Sequence, residues 1–388
     1  MIGTSLRSRT AVAAGILCAV AATGQASAQD IELPGQLAWT AYDVGSGGYN
    51  QAVAIGGALK NELGIDLRVL PGRNDVSRQV PLRQGRVQFS ATGVGASYLA
   101  QEGVFEFGGA DWGPQAVRLL LAANGDGNLG IGVAADAGIE TIADLAGKRV
   151  AYVVGAPSLN ENITAILAFA NLTWDDVERV EFSGFGAAWE AIINDQADAA
   201  FAASTSGQAY QLEASPRGLF WPPLPHDDTE GWQRLQERAP FFIPNDGTEG
   251  AAMGADNVNE AATYPYPVLT TYAEQDTSLV YNMTKAMVEL YPTYQDSAPG
   301  INGWALDNQV FAWAVPYHEG AVEYFREAGV WTEEHDAHND ALIERQGVLA
   351  AAWEEMQGEE VAEADFEARW MEIRARKLEE AGLSVVFE

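Results

Sequence analysis

The sequence predicts an α/β protein of two lobes, each a mostly parallel sheet flanked by helices, with a helical C-terminal region. Three observations lead there. Short apolar runs of strand length alternate with stretches of helical periodicity, the pattern of strands covered on both faces. The alternation runs in two series, the second starting around Gly130 to Ala134. The 388 residues are 47% apolar and 20% charged, longer than the roughly 250–300 that one core usually serves and apolar enough to fill two.

Residues 1–28 read as an export signal: Arg7 and Arg9, an apolar run over 11–22, then Ala26-Ser27-Ala28 as a small-x-small cleavage site near Ala28. The run is shorter than the roughly 20 residues that span a bilayer. Next comes a strand over 37–42, leading into a helix over 46–63. Ala52, Ile55, Leu59 and Leu63 share one face of that helix, and Gly64 stops it. Strands follow at 67–70, 87–91 and 117–122. The second series reads strand 130–134, short helix 141–145, strand 149–154, helix 160–170, strand 180–182, helix 186–194 and strand 199–203. Proline and aromatics over 221–246 make a poor helix or central strand. A strand over 268–272 returns the chain to the first lobe. Helices then follow at 278–291, 306–314, 320–328 and 333–357, and the acidic tail 359–380 reads as an amphipathic surface helix. The expected division is residues 29–124 and 268–388 in lobe 1, and 125–267 in lobe 2.

Acidic residues outnumber basic ones 54 to 22, a formal charge of −32. Removing residues 1–28 takes away Arg7 and Arg9 and no acid, leaving 20 basic residues against 54 acidic and a charge of −34. Such a field repels a phosphate backbone and an anionic membrane surface, so no nucleic acid is expected as a partner. Cys18 is the only cysteine, which excludes an intramolecular disulfide and a thiolate metal site.

Four small-residue turns carry the functional expectation. Gly45-Ser46-Gly47-Gly48-Tyr49 joins the first strand to its helix, where backbone N–H groups and the positive helix end favour an anion. Thr92, Gly93 and Val94 lie in a second turn after a strand. Pro157, Ser158 and Asn160 lie in a third, and Ser204 and Thr205 in a fourth. Ligands of open α/β sheets bind beyond the carboxyl ends of the strands, so two turns from each series point to a ligand between lobes. The stretch from Gly125 to Gly130 matches G-x-G-x-x-G, but a strand follows it where a helix should open, and it reads as a lobe-crossing turn. His335 and His338 share a helix face in the acidic first turn of a helix capped by Thr332, and no metal is expected there. No nucleophile elbow, H-E-x-x-H or EF-hand loop occurs. No enzyme and no cofactor are expected.

The order of the Gly45 to Tyr49 turn, Ile142-Ala143-Asp144-Leu145-Ala146-Gly147-Lys148-Arg149-Val150, Asp198-Ala199-Ala200-Phe201 and Val315-Pro316-Tyr317-His318-Glu319-Gly320-Ala321 resembles TAXI-type solute receptors. These are the extracytoplasmic binding subunits of tripartite ATP-independent periplasmic (TRAP) transporters. The resemblance covers about residues 37–331. It implies a type II-like periplasmic binding protein that captures a small, carboxylate-bearing solute and delivers it to TRAP membrane subunits. Two departures fall in the expected pocket. Asn74-Asp75-Val76-Ser77-Arg78 stands where the family has Gly-Ser-x-x-Asn, with Pro81 interrupting the helix, and Pro157 to Asn160 replaces a Gly-Ser-Gly-Thr type turn. Arg78 is thereby placed to grip a ligand carboxylate. The 11 Trp and 13 Tyr fit either an aromatic or methylammonium-like ligand or ordinary core. The rival readings are a receptor of the same fold for an ATP-driven (ABC) importer and an exported α/β enzyme.

Overall fold

The computed structural model describes residues 31–387; the export signal expected at 1–28 lies outside them. The chain starts with β1 (Gln36–Ala41), α1 (Gly47–Leu63), β2 (Asp66–Pro71), α2 (Asp75–Arg83), β3 (Phe89–Thr92), the short α3 (Ala100–Glu102) and β4 (Val117–Ala122). Ser46 starts α1 by accepting the Tyr49 N–H, and Gly64 ends it with φ of 72° in the left-handed region. Pro81 does not break α2, which runs two residues further to Arg83. A capping box between Asn74 and Ser77 starts that helix.

The second series holds β5 (Leu129–Ala134), β6 (Arg149–Val153), α4 (Pro157–Phe169), β7 (Glu178–Phe182), α5 (Phe185–Ile193), β8 (Ala199–Ala203), α6 (Gly207–Glu213) and β9 (Leu219–Phe220). α4 starts three residues before the expected 160, because Pro157 fits the first helical position. The stretch 221–246 is more ordered than its prolines imply. Asp228 caps α7 (Thr229–Arg238), and β10 (Ile243–Gly247) pairs with β11 (Asn259–Thr263) in an antiparallel ribbon, where Pro244 is tolerated.

β12 (Val268–Tyr272) re-enters the first sheet, whose order is β2-β1-β3-β12-β4. β1 is parallel to β2 and β3, and β12 runs against β3 and β4. The second sheet has the order β7-β6-β8-β5-β9, with β6 parallel to β7 and β8, and β5 running against β8 and β9. Each sheet thus has one reversed strand, and the chain passes between sheets at 123–128 and 264–267. The G-x-G-x-x-G match falls on the first crossing.

The C-terminal region holds α8 (Thr277–Glu289), the short α9 (Tyr291–Tyr294), α10 (Glu319–Glu327), α11 (Glu333–Gln357) and α12 (Phe366–Glu380). The helix expected over 306–314 is absent. One turn of 3-10 helix at Leu306–Asn308 gives way to irregular chain, and Phe311 turns into the rings of Tyr317, Phe325 and Trp331. α11 and α12 form a hairpin sealed by Trp353 and Trp370, whose rings meet edge-on at 4.8 Å. The hairpin is tied to the first lobe by a buried charge triad. Glu102 accepts two 2.7 Å bonds from Arg345 and a 2.5 Å bond from Arg374. Burial opposes the Glu102 charge, but the two guanidiniums outweigh it and hold its pKa below the usual carboxylate value. Near the chain's end, the Phe387 ring lies against Tyr98 and Phe105.

Candidate functional site

The lobes are in contact along the carboxyl ends of their strands. Gly207 N–H donates to the Gly45 carbonyl at 3.1 Å and the Gln208 side chain to the Val44 carbonyl at 3.1 Å. Asn74 reaches the Val154 carbonyl at 3.3 Å, and Glu249 accepts from Gly300 N–H at 2.6 Å. Between these contacts lies a cavity of about 380 Å³, counted together with the solvent space it opens onto. Tyr42 and Ser46 line it from the first lobe, and Tyr264 and Tyr266 from the second crossing. Ser158, Asn162, Phe185, Phe201 and Ser206 are among the side chains from the second lobe. A smaller chamber of about 320 Å³ shares the Tyr264 and Tyr266 walls and is reached by Thr205, Gln51 and Asn128.

Five rings, Tyr42, Phe185, Phe201, Tyr264 and Tyr266, stand among aliphatic and hydroxyl side chains in the walls. Tyr42 and Tyr266 meet edge-on at 5.3 Å. Burial pushes the phenol of Tyr42 well above its ordinary range and that of Tyr266 up to about 12, although Arg78 pulls both down. Burial also raises Tyr264, against the bond it accepts from the Asn162 amide at 2.7 Å. All three are neutral phenols at physiological pH. The Asn162 carbonyl oxygen is buried with no hydrogen-bond partner, and Asn162 lines the cavity.

Of the residues singled out in the sequence, Ser46 and Ser158 line the main cavity and Thr205 the smaller one. Gly45 supplies the carbonyl that meets Gly207, with φ of 86°. Gly47 and Gly48 form the first turn of α1. A Cβ on Gly48 would stand 2.8 Å from the Tyr42 ring, and one on Gly93 would stand 2.3 Å from its hydroxyl. Tyr49 is half-buried and lends its N–H to the Ser46 cap. Thr92 is fully buried with its hydroxyl unpaired, and Val94 is buried beside it. Pro157 opens α4. Asn160 is spent on both backbone groups of Val153. Ser204 bonds the Glu249 carbonyl and accepts from Asn128 N–H.

Arg78 is not among the lining residues. It is 2% exposed, paired with Asp75, and stacked over the Tyr42 ring at 3.9 Å. Asp75 in turn accepts from Ser158, through the backbone N–H at 2.9 Å and the hydroxyl at 2.7 Å. Sequence reasoning passed over Asp75, Asn162 and the three tyrosines. The Tyr264-Pro265-Tyr266-Pro267 run within the second crossing was the available signal. His335 and His338 are used structurally: His335 closes the capping box of α11, and His338 bonds the Trp313 carbonyl at 2.5 Å. Among the described residues, no group of three or more His, Cys, Asp or Glu is placed to hold a metal, and no helix is long and apolar enough to cross a membrane.

The model of the NMT1-like family matches residues 49–329, which includes both sheets except β1. The chain belongs to the NMT1-like family. Solved structures match the chain at low identity. A Bordetella bronchiseptica protein has 14% identity over 77% of this NMT1-like chain and 90% of its own, at TM-score 0.45. An amino acid ABC transporter substrate-binding protein from Streptococcus pneumoniae, bound to L-arginine, has 11% identity over 70% and 96%, at TM-score 0.40. The alkanesulfonate-binding protein of Xanthomonas axonopodis pv. citri, bound to MOPS, has 13% identity over 78% and 96%, at TM-score 0.36.

Proposed function

We propose that this NMT1-like protein is the periplasmic solute-binding subunit of a TRAP transporter, enclosing a small solute between its lobes and presenting it to the membrane subunits. The observation that carries the reading is the interlobe cavity, whose walls come from both lobes and from a crossing segment. A site built this way is assembled only when the lobes close, so a solute that prefers the closed state shifts the population toward it. The TRAP assignment, as against an ABC importer, is supported by the TAXI-like motifs in order over about residues 37–331. Binding rather than turnover is supported by the walls, which present rings, capping hydroxyls and one amide acceptor. The expectation of a carboxylate ligand rested on the resemblance and on Arg78, and the pairing of Arg78 with Asp75 weighs against the second support.

The test is mass spectrometry of solute released from gently purified protein, followed by calorimetry with that solute and solution scattering. The reading expects one tightly held small molecule and a smaller particle on binding. Adjacent genes for one large and one small membrane subunit separate the TRAP reading from the ABC one. A protein that carries no solute and keeps its dimensions across a broad metabolite screen defeats it.

A further inference from the structure

We infer that Asp75 sets the ligand class of the interlobe site: it fills the anion-binding end of α4 with the protein's own carboxylate, and the cavity takes an uncharged, donor-bearing solute. The inference rests on the solute-binding reading above and deepens it.

The first support is the seating of Asp75. It is fully buried at the start of α2, yet one oxygen reaches across the lobes to the N–H and hydroxyl of Ser158 in the first turn of α4. Free N–H groups and the helix dipole make such a turn a place for an anion. The other oxygen accepts from Arg78, whose guanidinium also donates to the Gly72 carbonyl at 3.3 Å and lies over Tyr42. The backbone is shaped for this pair. A Cβ on Gly95 would fall 2.2 Å from the Asp75 carboxylate, and one on Gly72 would fall 2.5 Å from the Arg78 chain. The cradle and the carboxylate are therefore already matched within the protein, and Arg78 is paired to that carboxylate with only its Nε buried without a partner.

The second support is what remains for a ligand. The hydroxyl of Ser46 donates to the Asp43 carbonyl and caps α1, and that of Ser206 caps α6. The buried polar atom left without a partner among the lining side chains is the Asn162 carbonyl oxygen, an acceptor, while Tyr264, which accepts from the Asn162 amide, keeps its own O–H. A carboxylate brings only acceptors and would sit beside Asp75 with no uncommitted cation among the lining residues, an unpaired buried charge. A solute with an N–H or O–H donor and an otherwise apolar or ring-like body satisfies Asn162 and meets the faces of Tyr42, Tyr264 and Tyr266.

The experiment uses formate as probe, with melting temperature and scattering as readouts. Asp75→Ala vacates the cradle while leaving Arg78 and Ser158, so formate is expected to bind this variant at least tenfold more tightly than the wild type. It should raise the variant's melting temperature and restore the compact particle, where chloride at equal strength does neither. Asp75→Asn keeps the side-chain volume, and its cradle stays filled. Its formate response should match the wild type. Equal formate responses in Asp75→Ala and wild type overturn the inference, as does a response of Asp75→Asn equal to that of Asp75→Ala. An Asp75→Ala chain that stays unfolded in formate as well as in chloride also overturns it, since an outside carboxylate then fails to replace the missing one. In the wild type, an eluted carboxylic acid overturns it and an uncharged solute supports it. The formate arm does not depend on transport. If it fails while a solute is eluted, the receptor reading stands and the ligand class falls; if it succeeds while no solute is found, the receptor reading falls alone.

Discussion

Closure can be opposed with one methyl group. A Cβ on Gly207 would stand 2.5 Å from the Gly45 carbonyl oxygen, across the line between lobes. Carbon-to-oxygen contacts settle at about 3.3–3.6 Å, so Gly207→Ala requires about 0.8–1.1 Å of extra separation. The obstacle is a main-chain atom and cannot rotate away. Relief by parting the lobes gives up the 3.1 Å bond from Gly207 N–H and strains the one from Gln208 to Val44. At about 0.5–1.5 kcal/mol for each bond, closure loses about 1–3 kcal/mol, a shift of about 5- to 150-fold in the closed-to-open ratio. The lobes themselves lose nothing: Gly207 is the first residue of α6, is not in the left-handed region, and Ala is the better helix former. The assay is a spin-label distance between Val53→Cys in α1 and Val154→Cys after β6, both exposed, in a chain starting at residue 29 and so lacking Cys18. A longer distance and larger radius of gyration are expected at unchanged melting temperature. A variant whose distance and radius equal the parent's refutes the reasoning.

Further outcomes follow from charge and burial. Glu102→Gln strips the counter-charge from Arg345 and Arg374 and is expected to cost about 3–5 kcal/mol in urea unfolding; a loss under about 1 kcal/mol contradicts the triad's role. Because the folded pKa of Glu102 is depressed, its contribution is present above the unfolded value near 4.3 and is lost as pH falls below it. Burial likewise lowers the pKa of His318, against the pull of Glu319, and its ring nitrogen accepts the Gly320 N–H at 3.1 Å to cap α10. Stability should therefore be full above about pH 6.5 and fall as pH drops just below it, with His318→Asn, still a capping residue, flattening the decline in melting temperature. The charge of −34 on residues 29–388 should repel itself in dilute buffer, so sodium chloride from 0.05 to 1 M should raise the melting temperature of the ligand-free protein; a flat or falling curve removes that reading.

What was legible in the sequence had local causes. Ser46 and Gly64 mark the ends of α1 because capping acts within a few residues, and Thr332 marks the start of α11 for the same reason. Strands β1 to β8 and β12 form close to where they were expected, because covered sheets need apolar runs, whereas β9, β10 and β11 were not expected. The irregular stretch after Asn308 was misread because its helical spacing is overridden by the ring cluster around Phe311, which forms only in three dimensions. The site was half legible. Turns containing Ser46 and Ser158 announce themselves by composition, whereas the contact between Asp75 and Ser158 joins positions far apart in sequence and leaves no periodic trace. Arg78 drew attention as a lone cation because its partner lies one helical turn earlier and resembles an ordinary acidic first-turn residue.

The place of β12 in the first sheet sets the order in which the molecule is finished. The second sheet needs only the chain from β5 to β9, while the first must keep a slot open between β3 and β4 until Val268–Tyr272 arrives from beyond it. Loop closure of that span is the slowest kind of contact to make. A chain folding from its N-terminus therefore completes its second lobe first, with β3 and β4 presenting unpaired edges meanwhile. The anchoring of Glu102 by Arg345 and Arg374 follows later still. The half of the molecule made first is the last to be sealed, and its two open strand edges define the interval in which the nascent chain most needs shielding.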